Sequence, residues 1–104
     1  MERRIQMDRQ EAETETGRHL VLLYDLLVEL VPLKQGGELE LYGVAVEELG
    51  SGERTRIPAI SFRAGLVERL VEHLAEARVT PCTLQDVVED WLAAPQAEDI
   101  SKNW

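Results

Sequence analysis

The stretch Leu20-Val21-Leu22-Leu23-Tyr24-Asp25-Leu26-Leu27-Val28-Glu29-Leu30-Val31 decides the fold. Its even positions, Leu20, Leu22, Tyr24, Leu26, Val28 and Leu30, are all apolar, whereas the odd positions mix Asp25 and Glu29 with Val21, Leu23, Leu27 and Val31. A sustained period of two is the mark of a strand with one face in the core. The stretch also fits a helix, since Leu20, Leu23, Tyr24, Leu27, Leu30 and Val31 recur at spacings of three and four and leucine favours helices. The agreement of all the even positions, and the turn signal at Pro32 and Gly36-Gly37, favour the strand. Val21, Leu23, Leu27 and Val31 then share the second face. If that face lies outside the core they form an apolar patch, and such patches mark protein contacts.

Working towards the carboxyl end, Leu39 and Leu41 fall on odd positions while Val44 and Val46 fall on even ones, with the phase changing at Gly43. A bulge at the glycine is the economical repair of such a slip. Gly50-Ser51-Gly52 then reads as a turn, and Arg54 to Ile60 as a third strand. Pro58 cannot donate to a ladder, and Arg54 and Arg56 discourage pairing, so this strand belongs at an edge. Two amphipathic helices follow. In the first, capped by Ser61, the residues Phe62, Leu66, Leu70 and Leu74 form one stripe beside Val67 and Val71. In the second, Thr83 and Asp86 make a capping-box pattern ahead of Leu84, Val87, Val88, Trp91 and Leu92, and Pro95 stops it. The expectation is a two-layer α+β domain over residues 17–94, a three-stranded antiparallel meander followed by a two-helix hairpin in the order βββαα. Residues 1–16, polar and without an apolar period, are expected to be a flexible N-terminal segment, and 95–104 a C-terminal tail.

The chain has 104 residues, room for one domain, with 44% hydrophobic residues for a core and 30% charged residues for a wet surface. Its formal charge of -9 argues against direct nucleic-acid and anionic-lipid binding. That charge is uneven: Glu38, Glu40, Glu47, Glu48 and Glu53 form one acidic run, and Asp86, Glu89 and Asp90 with Glu98 and Asp99 form another. Between them lies a mildly basic stretch with Arg54, Arg56, Arg63, Arg69 and Arg78. Cys82 is the sole cysteine, which excludes an intramolecular disulfide and fits a reducing cytoplasm. The amino terminus carries no secretory pattern, and the longest apolar run is too short to span a bilayer.

Two stretches, Tyr42-Gly43-Val44-Ala45-Val46-Glu47 and Val79-Thr80-Pro81-Cys82-Thr83-Leu84-Gln85-Asp86-Val87-Val88-Glu89-Asp90-Trp91-Leu92, give the chain a likeness. It resembles, over roughly residues 39–92, a family of small bacterial proteins, mainly clostridial, that is catalogued as a domain of unknown function. The resemblance implies an intracellular α+β protein and carries no activity, cofactor or binding residue with it. The leucine-rich segment from Leu20 to Leu33 departs from the shorter, more polar strand expected of that family.

Chemistry-bearing residues are sparse. His19 and His73 stand far apart without ligand spacing, so neither a metal nor another cofactor is expected. Cys82 precedes a helix and becomes a nucleophile only if a base such as His73 reaches it. Asp86, Glu89 and Asp90 share a helix face but lack the loop of a calcium site. The expectation is a non-catalytic, cytoplasmic interaction or regulatory module. Its partner is another protein or a second copy, contacted through Val21, Leu23, Leu27 and Val31, without nucleic acid or membrane. The alternatives are a small metal- or thiol-dependent enzyme, and an acidic antagonist of a nucleic-acid-binding protein.

Overall fold

A computed structural model describes residues 2–94, and the C-terminal tail expected at 95–104, with the stop at Pro95, lies outside them. The elements are β1 (Glu2–Glu13), β2 (His19–Pro32), β3 (Glu38–Leu49), β4 (Arg54–Ser61), α1 (Ala64–Glu76) and α2 (Leu84–Ala93), with a 3-10 turn at Pro81–Thr83 leading into α2. The strands pair antiparallel in chain order, so the sheet is an up-and-down meander with β1 and β4 at its edges. The protein is therefore α+β, an antiparallel sheet followed by two helices. The described residues form a flat body measuring 54 × 33 × 19 Å. No helix among them is long and apolar enough to cross a membrane.

The sheet has four strands where the sequence reading gives three, because the segment taken as flexible is β1. Glu2 to Glu13 pairs with Glu29 to His19 along its whole length, broken only by an irregularity at Met7. Its side chains are mostly exposed, which is why they show no apolar period. Main-chain bonds to β2 and ion pairs to residues far along the chain hold it instead.

Register places the two sets of apolar residues on β2 on opposite faces. Leu22, Tyr24, Leu26 and Val28 enter one core with Val44 and Val46 of β3, Val67, Leu70, Val71 and Leu74 of α1, and Leu84 and Val88 of α2. Helix α1 lies across all four strands on this face. Residues directly opposite one another in an antiparallel pair share a face. The odd positions of β2, with their partners on β1, β3 and β4, therefore form the other face.

The phase change near Gly43 has a different cause from a bulge in β3. Strand β3 keeps one unbroken register with β2 from Glu38 to Leu49. Leu39 and Leu41 point to one face and Val44 and Val46 to the other. The irregularity belongs to β4: Val44 pairs with Ile57 and Tyr42 with Ser61, so Gly43 alone stands opposite Pro58, Ala59 and Ile60. Ala59 takes a positive φ of 54° to complete the kink. The kinked segment presses on Gly43 so closely that a Cβ there would stand 2.3 Å from the Ile57 carbonyl oxygen and 2.7 Å from Pro58 Cα. Glycine is present at this position because a side chain has nowhere to go.

Local chemistry at the helix starts also differs from expectation. Helix α1 begins after Arg63, so Phe62 falls outside the stripe and is exposed. Ser61 Oγ accepts from the Arg63 backbone N–H at 3.0 Å, tightening the turn before the helix instead of capping it. Thr83 makes no cap bond in α2, because its hydroxyl is engaged with Thr80. The end of α1 is better defined. Arg78 N–H bonds the Ala75 carbonyl at 3.1 Å and Val79 N–H the Leu74 carbonyl at 3.0 Å, with Arg78 at a φ of 51°. This is a Schellman stop built on arginine in place of the usual glycine. Tyr24, fully buried in the sheet, donates its hydroxyl to the Val79 carbonyl at 2.9 Å. Burial pushes its phenol up to about 12.

Candidate functional site

Among the described residues no helix packs on the other face of the sheet, and that face is banded. At one end Val21 pairs with Leu49, with Leu23 beside them. At the other end Val31 pairs with Leu39, with Leu41 next along β3. Val21, Leu23, Val31 and Leu41 are half-buried, whereas Leu39 and Leu49 stand 38% and 43% exposed. Between the two apolar ends runs a belt of charge. Arg4 of β1 donates Nε to Asp25 Oδ2 at 3.0 Å, and its terminal nitrogen contacts both Asp25 and, at 3.4 Å, Glu47 of β3. Arg56 of β4 reaches across the sheet to pair with Glu2 of β1.

This belt forms where side chains are small. Ala45 and Gly43 leave the middle of β3 low, so long arginines from both edges can fold inwards over it. The result is a depression of about 210 Å³ lined by Glu2, Arg4, Leu27, Ala45, Arg54 and Arg56. Leu27 and Ala45 are buried and form its floor. Asp25 is also buried, 5% exposed in the middle of an apolar strand, which is costly for a carboxylate without a partner. Arg4 supplies that partner, and the hydrogen bond to Asp25 is the main reason its guanidinium is raised above the ordinary value. Arg54 makes no hydrogen bond or ion pair among the described residues, although it stands opposite Glu47 in the ladder.

The four residues singled out as a contact surface therefore share one face, but unequally. Val21, Leu23 and Val31 reach the surface at the two apolar ends, whereas Leu27 lies under the belt at 1% exposure. The belt itself was not readable from the sequence, because Glu2 and Arg4 lie in the segment set aside as flexible. Asp25 was the available signal, since a carboxylate in such a strand demands a cation.

The other chemistry-bearing residues are scattered. Among the described residues no group of three or more His, Cys, Asp and Glu side chains is arranged to hold a metal ion. Asp86, Glu89 and Asp90 are exposed on α2. Cys82 is exposed, with its Sγ 3.4 Å from the Thr80 hydroxyl. His19 Nε2 meets Glu11 at 2.8 Å across β1 and β2, and His73 lies exposed in the last turn of α1.

A family model matches residues 3–94, from the start of β1 to the end of α2. The chain belongs to DUF6514, a family of unknown function. The DUF6514 match takes in β1 and the leucine-rich β2 as well as the stretch from Leu39 to Leu92 that suggested a family of this kind. No curated protein and no solved structure matches the chain.

Proposed function

We propose that this protein is a non-catalytic protein–protein interaction module of the bacterial cytoplasm, docking through the open face of its sheet. The observation that carries the reading is the banding of that face, with half-exposed apolar residues at both ends of a paired ionic belt. Interfaces commonly combine apolar contact with charged groups that fix orientation. Both sheet edges are poor alternatives. Edge β1 carries Glu2, Arg3, Arg4, Asp8, Arg9, Glu11 and Glu13, and edge β4 carries Arg54, Arg56 and Pro58, the devices that oppose strand addition. At the central depression Arg4 is paired with Asp25 and Glu47, and Arg56 with Glu2, which suits orientation of a partner better than acid–base work on a substrate.

A photo-cross-linking amino acid placed singly at Val21, Val31, Glu72 and Asp86 in the native cell tests the reading. Protein adducts are expected from the two open-face positions and not from the two on the helices. Adducts from the helix positions alone, or from none, overturn it.

A further inference from the structure

Resting on that reading, we propose that the occupant of the open face is a second copy of this chain, packed face to face about a two-fold axis with one ionic belt over the other. Three observations favour this partner.

The first is symmetry. The belt crosses β2 at Asp25, midway along His19–Pro32, with apolar residues towards both ends. A two-fold contact is self-complementary, each patch meeting its own kind or its counterpart. An axis lying between the sheets, passing through the belt and running either along or across the strands brings belt onto belt and apolar end onto apolar end. Leu39 and Leu49, exposed in the single chain, are then covered together.

The second is charge. Although the chain carries -9 overall, the belt holds Arg4, Arg54 and Arg56 against Glu2, Asp25 and Glu47, with Glu29 opposite Glu2 as one further carboxylate. A belt so close to balance meets its own copy with less repulsion than an acidic face would suffer. Arg54, with no partner among the described residues, is the cation available to a carboxylate of the second copy.

The third is area. Strands of about 12 residues at roughly 3.3 Å each, four abreast at about 4.8 Å, present a face of roughly 700 Å². Two such faces bury about 1,400 Å², within the range of roughly 1,200 to 2,000 Å² for stable specific interfaces. Sheets stacked in this manner pack about 10 Å apart with their strands near-aligned, as in a β-sandwich.

Sedimentation equilibrium of the full chain over a wide concentration range tests the proposal. The wild type is expected to be a dimer. Leu39→Lys and Leu49→Lys are expected to weaken it at least tenfold, while Glu72→Lys on α1 leaves it unchanged. Arg54→Ala breaks no ion pair among the described residues, so it is expected to weaken the dimer several-fold with the melting temperature of the dilute monomer unmoved. That last variant keeps the test valid should the lysine variants fold poorly. A wild type that stays monomeric overturns the proposal, as does a dimer that none of the open-face variants weakens. A monomer that still cross-links to another protein through Val21 and Val31 overturns the second copy alone, whereas missing open-face cross-links overturn the interaction reading beneath it.

Discussion

Arg4 on the edge strand β1 grips Asp25 on β2 through two guanidinium nitrogens, and so holds the one carboxylate buried in the most apolar strand of the sheet. The pair does two jobs at once. It neutralises a charge that could not otherwise stay buried, and it ties down a strand with little apolar side chain of its own.

Truncating one partner should therefore cost more than the pair is worth. Arg4→Ala leaves Asp25 unpaired and is expected to destabilise the fold by about 2 to 4 kcal/mol. Replacing both with apolar residues, Arg4→Met with Asp25→Leu, should recover most of that loss. Urea denaturation of the two variants checks it, and equal destabilisation in both would refute the account.

Gly43 should be intolerant of the smallest side chain. Gly43→Ala drives a Cβ into the backbone of Ile57 and Pro58, and neither can yield as a side-chain tip would. A loss of roughly 3 kcal/mol or more is expected, at or above the upper end of ordinary overpacking costs. Amide hydrogen exchange should show β4 losing protection ahead of β1 and β2.

Tyr24 should set an alkaline limit on stability. Its phenol ionises near 10 when unfolded and at about 12 when folded, so its contribution is complete below pH 10 and is lost as pH rises from 10 through 12. The full loss is roughly 3 kcal/mol by that shift. Tyr24→Phe is expected to flatten this alkaline limb while costing about 1 to 2 kcal/mol at neutral pH, where the Val79 carbonyl loses its donor. Melting temperature against pH for both proteins decides it.

The ion pair between Glu2 and Arg56 links the first strand to the last, across the two between them. Each residue is partly exposed, and exposed pairs contribute about 0 to 1 kcal/mol. Glu2→Gln should thus leave the melting temperature nearly unchanged but loosen the amino-terminal end of β1. Faster exchange confined to the first residues of that strand is the expected result, and unchanged exchange would count against the tie.

Much of the architecture was legible where a residue's fate depends on near neighbours. The period of two in β2 and the helical stripes through Leu70, Leu74 and Val88 report burial directly, and the structure buries them. Edge placement of β4 followed from Pro58 and its arginines. Strand β1 was illegible because its partners are distant: Arg4 meets Asp25 and Glu47, and Arg78 donates Nε to the Glu11 carbonyl at 3.1 Å. No local pattern records such contacts. The alternation of β3 misled for a related reason. Leu39 and Leu41 serve the open face while Val44 and Val46 serve the core, so one regular strand looks like two out of phase. On the open face, the apolar residues of β2 were visible and the charges that cover Leu27 were not.

Because the core and the open face draw on alternate residues of the same strands, the sheet behaves as a plate whose two sides can be rewritten separately. Val21, Leu23 and Val31 lie outside the core that Leu22, Tyr24 and Val28 share with the helices, so substitutions there are expected to leave its packing intact. Their effects on stability should add to those of core substitutions with little coupling, provided the pairs share no contacts. The open face is thus free to diverge while the scaffold beneath it stays the same.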